Sequence, residues 1–300
     1  MPNPTITGST YAGEFAGKYL GAALLSADTL DKGAITILPN VKYKAAMKVG
    51  AFSNLVRSAD CDFDSSTSTL TLTEKVLTPT ELQVNLQICK KELHADWEAA
   101  QMGFSAFDEL PPLFSDYVIA RVAAEVANAT ETSIWQGSAG EGNFDGFETL
   151  LAADGTVNDV TAVVGGVDSS NVIAELQKIV DAIPSGVYGK DDLTIYISQN
   201  IAKAYVAAQA ALGYRDLYHV GQTEMNFQGI PLFATGGLAD NTAVAAQKSN
   251  LFFGTGLLDD RNEVKVIDMA DLDGSQNVRV VMRYTAGVQH GIGSDIVLYA

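Results

Sequence analysis

Charge is scarce in this chain, and what there is of it is lopsided. Charged residues make up 18% of the 300 positions, below the roughly 25% usual for soluble domains. A globular protein short of charge often carries surface destined to be covered by a partner. Lysine and arginine number 19 against 36 acidic residues, a net charge of -17. That balance excludes a general nucleic-acid-coating role, which needs clustered cations to neutralise phosphate. Cysteine is nearly absent: Cys61 and Cys89 are the only two, too few for a disulfide framework or a zinc site, so both are expected as reduced thiols. His94, His219 and His290 are scattered, with no H-x-x-x-H or H-E-x-x-H spacing, which leaves no metal-hydrolase motif. No apolar run approaches the roughly 18 residues that read as a membrane span. Met1-Pro2-Asn3-Pro4 lacks the basic start and apolar stretch of a secretory leader. The expectation is a soluble chain made in a cytoplasm.

Among what is present, hydrophobic patterning divides the chain. Residues 1–10 read as an extended arm, and an Ala/Gly-rich helix is expected from about Thr10 to Ser26, with Phe15, Tyr19, Leu20 and Leu24 on one side. From Gly33 to Ile88 the pattern changes to strands: Ala34–Leu38, Val41–Val49, Leu70–Thr73 and Leu82–Ile88. These are read as one long two-armed hairpin around a polar tip at 58–68, with little of its own to bury. Helical character returns at Lys90–Met102. Pro111-Pro112 then opens the longest helix, 113–135, which Gly137 ends. Its 23 residues span about 35 Å. Phe114, Val118, Val122, Val126, Ala129 and Ser133 are expected on its buried face, and Asp116, Glu125, Asn128 and Glu131 opposite. Strand-like Thr156–Val164 and a helix capped by Asp168 or Ser169 and stopped by Pro184 come next. A βα unit succeeds them, Leu193–Ile197 and then a helix over Ile201–Leu212, before a run of short strands to the end. The whole reads as α+β.

No chemical motif stands out. The Gly-rich stretch 137–146 follows a helix rather than a strand and lacks G-x-x-x-x-G-K-[ST], so it reads as a turn and not a phosphate cradle. Asp268, Asp271, Asp273 and Gly274 lack EF-hand spacing and a closing Glu, and read as a solvated acidic turn. No G-x-S-x-G elbow exists. Lys42, Lys44, Lys48 and Arg57, with no acid between 41 and 59, form the one locally basic segment. It is read as docking on an acidic neighbouring subunit or, less well supported because only Tyr43 and Phe52 interleave, as contact with nucleic acid; the simpler reading is lysines guarding a strand edge.

The order of parts resembles the major capsid proteins of tailed bacteriophages with the HK97-type fold. Three stretches carry the likeness. Glu131-Thr132-Ser133-Ile134-Trp135-Gln136-Gly137 with Gly146-Phe147 is similar to the family's exit from its long helix. Asn226-Phe227-Gln228-Gly229-Ile230-Pro231-Leu232-Phe233 is similar to a strand of its axial domain. Arg279–Tyr284 and Asp295–Tyr299 are similar to its closing strands. The resemblance implies an N-terminal arm at 1–32, an extended β-hairpin (E-loop) at 33–90, and a peripheral domain at 91–165 with its spine helix at 113–135. It further implies a mixed α/β axial domain at 166–280, and C-terminal strands at 281–300 returning to the peripheral domain.

For function, the resemblance implies a non-enzymatic shell subunit without metal or cofactor. It would assemble into hexamers and pentamers of an icosahedral head around double-stranded DNA, in a virion built in the host bacterial cytoplasm. Implied partners are further copies of the chain and a portal protein at one vertex, with room for decoration proteins; because the arm begins within ten residues of Met1, the resemblance implies either a separate scaffolding protein or a self-guided assembly. Packaged DNA would be touched weakly and without specificity, and no membrane is involved. Inter-subunit contacts are expected at Lys42, Lys44, Lys48, Arg57, Phe63, Tyr11 and Phe15. The rival readings are an encapsulin-like or gene-transfer-particle shell of the same fold, and a soluble enzyme with a spatially assembled site.

Overall fold

The computed structural model describes residues 28–41, 43–53, 56, 58, 61, 69–89, 112–140, 142–211, 225–256, 265–269, 274–275 and 277–300. The helices expected at 10–26 and 90–102 lie outside them. Two sheets and a free-standing ribbon organise the rest. The longest helix, α2, runs Pro112–Gln136, after the single-turn α1 (Asp28–Asp31). It is followed by α3 (Phe147–Ala153), α4 (Val172–Ala182) and α5 (Gln199–Ala211).

The six-stranded sheet has the order β5-β13-β9-β6-β8-β7. Its strands are β5 (Asn158–Val160), β6 (Leu193–Ser198), β7 (Met225–Phe227), β8 (Ile230–Thr235), β9 (Ala243–Gln247) and β13 (Val297–Tyr299). Both faces are covered, so its central strands are apolar at nearly every position rather than alternating. Ile195 and Ile197 of β6 pack with Leu176 and Ile179 of α4 and Ile201 and Tyr205 of α5. Tyr196, between them, points the other way and meets Trp135, with ring centroids 5.1 Å apart. The expected strand over Thr156–Val164 shrinks to three residues, because only these pair with β13.

The five-stranded sheet has the order β1-β10-β12-β11, with β4 also paired to β12. It comprises β1 (Thr36–Leu38), β4 (Thr80–Cys89), β10 (Leu251–Thr255), β11 (Lys265–Asp268) and the long β12 (Asn277–His290). On β12 the even positions Val278, Val280, Met282 and Tyr284 are buried in the same core as Ile134, Trp135 and Phe147, while Arg279 and Arg283 between them are exposed. That is the alternation of a sheet with one wet face.

The structure corrects the expected strand pairing in two places. Leu82–Ile88 is not part of the hairpin: it pairs antiparallel with β12, from Thr80↔Ala286 to Cys89↔Asn277. The alternation tells the strand and its inward face, but the partner lies some two hundred residues away and Leu82 finds its core there. The strands of 281–300 also do not travel together. β12 lies in the five-stranded sheet, but β13 crosses to the six-stranded one, and β10 and β11, inside the span read as an axial domain, join the five-stranded sheet.

The C-terminal end of α2 is where these layers meet. Glu131, expected on the wet face, is 7% exposed. Its carboxylate accepts from the Thr29 N–H at 3.1 Å, the Thr29 hydroxyl at 2.5 Å and the Thr235 hydroxyl at 2.5 Å. Trp135 Nε1 donates to the same Thr29 hydroxyl at 2.9 Å. A helix-wheel reading fails here because the last turns of α2 are enclosed on more than one side. Ala129, expected on the buried face, is exposed.

Glycines allow the tight exit. A Cβ on Gly137 would stand 2.2 Å from the Phe144 carbonyl oxygen, and one on Gly146 would stand 2.6 Å from the Trp135 carbonyl oxygen. Gly146 N–H instead donates to Gly137 O at 2.8 Å, closing the Gly-rich stretch as a turn between α2 and α3. Gly237 approaches α2 from the other side, where a Cβ would be 2.4 Å from the Glu131 carbonyl oxygen and 2.4 Å from Trp135 Cδ1. Gly237→Ala is therefore expected to cost about 1–3 kcal/mol, the usual range for overpacking a core. Urea unfolding checks this, and an unchanged midpoint would contradict the packing described.

Candidate assembly surface

The ribbon consists of β2 (Ala45–Ser53) and β3 (Thr69–Leu77), nine antiparallel pairs from Ala45↔Leu77 to Ser53↔Thr69. At about 3.4 Å per residue it is roughly 30 Å long, and it pairs with neither sheet. Residues on β3 from Thr69 to Glu74 are all exposed; only Leu77, at the root, is buried. Leu70 is 54% exposed and Leu72 67%. Directly opposed positions share a face, so Ala46 and Val76, Lys48 and Glu74, Gly50 and Leu72 form one side of the ribbon. An isolated two-stranded ribbon is marginal in water, and an exposed apolar row marks a surface that something covers.

Two of the expected contact residues, Lys44 and Lys48, are described, and both are exposed. Lys48 stands opposite Glu74 in register. The Lys44 ammonium lies 5.4 Å from the centroid of Tyr43, itself 77% exposed. Lys42, Arg57, Phe63, Tyr11 and Phe15 lie outside the described residues.

The root of the ribbon is clamped by a charged cluster that no sequence motif announced. Lys75 Nζ is 2.5 Å from Asp154 Oδ2, just after α3, and 3.2 Å from Nε2 of His290 at the end of β12. His290 Nε2 is also 2.8 Å from Asp154 Oδ2. Lys75, then His290, hold the Asp154 carboxyl well below the usual carboxylate range. Burial pushes the His290 imidazole down against the opposing pull of Asp154, and the Lys75 charge pushes the same way as burial. Leu77 completes the anchor: a Cβ on Gly254 would be 2.4 Å from its Cδ2.

A His–Asp pair invites a catalytic reading, which the geometry does not support. The Thr156 hydroxyl bonds the other oxygen of Asp154 at 2.7 Å rather than the imidazole. His290 Nδ1 is buried and has no hydrogen-bond partner among the described residues, so no nucleophile is aligned with it. Among the described residues no group of His, Cys, Asp or Glu is arranged to hold a metal, and no helix is long and apolar enough to cross a membrane. The geometry is that of a projecting arm fixed at one end.

Solved structures match this arrangement over nearly its whole length. The capsid of a native GTA particle aligns with 100% of this chain and 93% of its own, at a TM-score of 0.65 and 15% identity. The chain has the HK97-type capsid fold. The capsid of Myoviridae Phage XM1 aligns over 91% of both chains at a TM-score of 0.60 and 13% identity. The satellite phage P4 procapsid, solved with its size determination (Sid) protein, covers 94% of this chain and 97% of its own at 0.56 and 12%. No protein-family model and no curated protein sequence matches the chain. The likeness to HK97-type capsid proteins read from residue order is thus met at the level of the mixed α+β fold, where identity is too low for sequence comparison to register it.

Proposed function

We propose that the chain is a non-enzymatic shell subunit that works by packing against copies of itself. In this reading it builds the hexamers and pentamers of an icosahedral phage head around double-stranded DNA. The observation that carries it is the ribbon: nine strand pairs clamped at the root, with β3 exposed from Thr69 to Glu74, in a capsid fold. Burying an apolar row that cannot be buried within the subunit is a source of assembly energy, at about 25 cal/mol per Å2. The ribbon serves as the E-loop, α2 as the spine helix, and the six-stranded sheet with α4 and α5 as the axial domain. The arm at 1–32, a portal protein and separate scaffolding and decoration proteins complete the assembly, and the finished virion is where the protein resides.

A second reading, the shell of a GTA-type particle, is favoured by the whole-chain match to the GTA capsid at a TM-score of 0.65. Particles from the native source distinguish the two: DNA of one defined phage genome supports the head, and random host fragments support the GTA-type shell. Electron microscopy of the expressed chain is the primary test, with closed particles expected and a persistent monomer ruling the proposal out. Leu70→Asp/Leu72→Asp is expected to leave the subunit folded, since exposed sites shift stability by about 0.5 kcal/mol or less. Particle yield should nevertheless fall at least tenfold. Sedimentation reads the yield and circular dichroism the fold.

A further inference from the structure

The edge strand β4 is left open. It pairs with β12 over ten residues, Thr80 to Cys89, in an unbroken one-to-one register, and among the described residues no other strand pairs with it. Every second residue of an antiparallel strand turns its N–H and C=O away from its partner, so the far side of β4 presents a row of unmet backbone groups. Proteins ordinarily blunt such an edge with a lysine, a proline or a bulge. β4 has none of the three. On its core side Val84 and Leu86 are only half-buried.

The wet side carries charge. Arg279 and Arg283 stand exposed on β12, on the face opposite the core. Arg279 Nε donates to Gln87 Oε1 at 3.0 Å, so its side chain already reaches across to β4. Gln83 stands opposite Arg283, and among the described residues neither arginine is ion-paired. A groove of about 390 Å3 follows the two arginines along Gln83, Asn85 and Gln87. A second, of about 780 Å3, opens at Thr80–Gln83, where Gly140 and Gly142 line the far wall without side chains to fill it. The lining of the two holds one carboxylate, Glu81.

An open backbone edge is matched by another backbone, and free guanidinium groups are matched by carboxylates, which they grip through paired hydrogen bonds. We propose that β4 accepts an extended acidic segment of a different protein as an added strand. That strand lies about 4.8 Å beyond β4 and alternates its side chains between the two faces. Run antiparallel, it places acids opposite Gln83 and Gln87, where they meet Arg283 and Arg279, two positions about 13 Å apart along the strand. A basic residue falls opposite Glu81, and apolar residues on the other face extend the row of Val84 and Leu86. A further copy of this chain is a poor match: its described free-edged strands, β1, β2, β3, β5, β7 and β11, hold at most one acid each. The inference goes beyond the shell reading, since the partner is not another subunit. Binding of this kind is steered by charge and weakened by salt.

The test uses the full chain and a labelled synthetic peptide, Glu-Val-Thr-Val-Glu-Val-Lys, whose first, third, fifth and seventh residues fall opposite Gln87, Asn85, Gln83 and Glu81. Fluorescence anisotropy at low salt should show binding that weakens about tenfold after Arg279→Gln/Arg283→Gln. N-methylating alternate peptide nitrogens should abolish binding in one alternation and spare it in the other, because an added strand uses one edge. A peptide with lysine in place of both glutamates should bind the Arg279→Glu/Arg283→Glu variant, a rescue that a misfolded chain would not give. No binding to the wild-type chain, equal binding to the Gln variant, or indifference to both methylation patterns overturns the proposal. If a DNA duplex binds the wild type and is lost by the Gln variant while both methylated peptides bind alike, the groove belongs to nucleic acid and the proposal falls. It falls too if the Gln variant keeps its circular dichroism yet forms no particles where the wild type does, since the face is then a contact between copies. Failure of the wild-type chain to assemble would sink the shell reading alone.

Discussion

Glu131→Ala is expected to lower the melting temperature by about 10 °C, because it removes about 3–5 kcal/mol from a buried polar knot. The carboxylate accepts three hydrogen bonds from two segments far apart in sequence, the start of α1 at Thr29 and the end of β8 at Thr235. Both hydroxyls are tied in turn, Thr29 to the Trp135 indole and Thr235 to the Gly237 N–H at 3.1 Å. Truncation strands these groups in a site closed to water, and each unsatisfied buried donor costs about 1–3 kcal/mol. It also leaves a cavity beside Trp135, which is fully buried. Glu131→Gln keeps the volume and one acceptor oxygen, so its loss should be roughly half as large. Scanning calorimetry on the unassembled subunit measures both, and an alanine variant melting within about 2 °C of wild type would show that the knot is not holding the layers together.

That knot is not legible in the sequence, and the reason is physical. Periodicity reports which way a side chain points along its own element and nothing about how many neighbours enclose that element. For α2 the period locates the helix correctly, and Val126 is buried as expected. It cannot say that the last turns of α2 are closed over by α1 and the segment after β8, so it assigns Glu131 to solvent. Leu193–Ser198 is easier, because a strand covered on both faces is apolar at nearly every position, and Ser198-Gln199-Asn200 marks the passage from the strand straight into α5. The strand at 82–88 is legible but its partner is not, since pairing to β12 is set by tertiary contact. The same limit divides the candidate surface. Lys44 and Lys48 lie within a few residues of each other and can be read as a basic segment. Lys75, Asp154 and His290 are single residues from distant parts of the chain, and only the fold brings them within hydrogen-bonding distance.

The same three residues set the expected response to acid. His290 is 1% exposed, and its folded pKa is lowered, chiefly by burial. The unfolded chain therefore takes up this proton first. The stability linked to His290 is complete above about pH 6.5 and is lost as pH falls from there through the depressed folded value. Asp154 is also lowered, chiefly by Lys75, so its contribution is complete above about pH 3.8 and is lost only below it. Acid should therefore weaken the clamp in two stages. Protonated His290 places a second cation beside Lys75 and gives Nδ1 a proton with no acceptor among the described residues. The effect should be local before it is global, because Lys75 is the only charged tie from β3 to the body among the described residues. Amide exchange in 45–53 and 69–77 should accelerate between pH 7 and pH 5 while exchange in β6 stays slow. His290→Gln removes the first stage. Asp154→Asn removes the second and, by breaking the Lys75 ion pair, loosens the ribbon already at pH 7. Ribbon exchange that is flat from pH 7 to pH 5 in the wild type, once corrected for intrinsic rates, would show that the cluster is not the clamp.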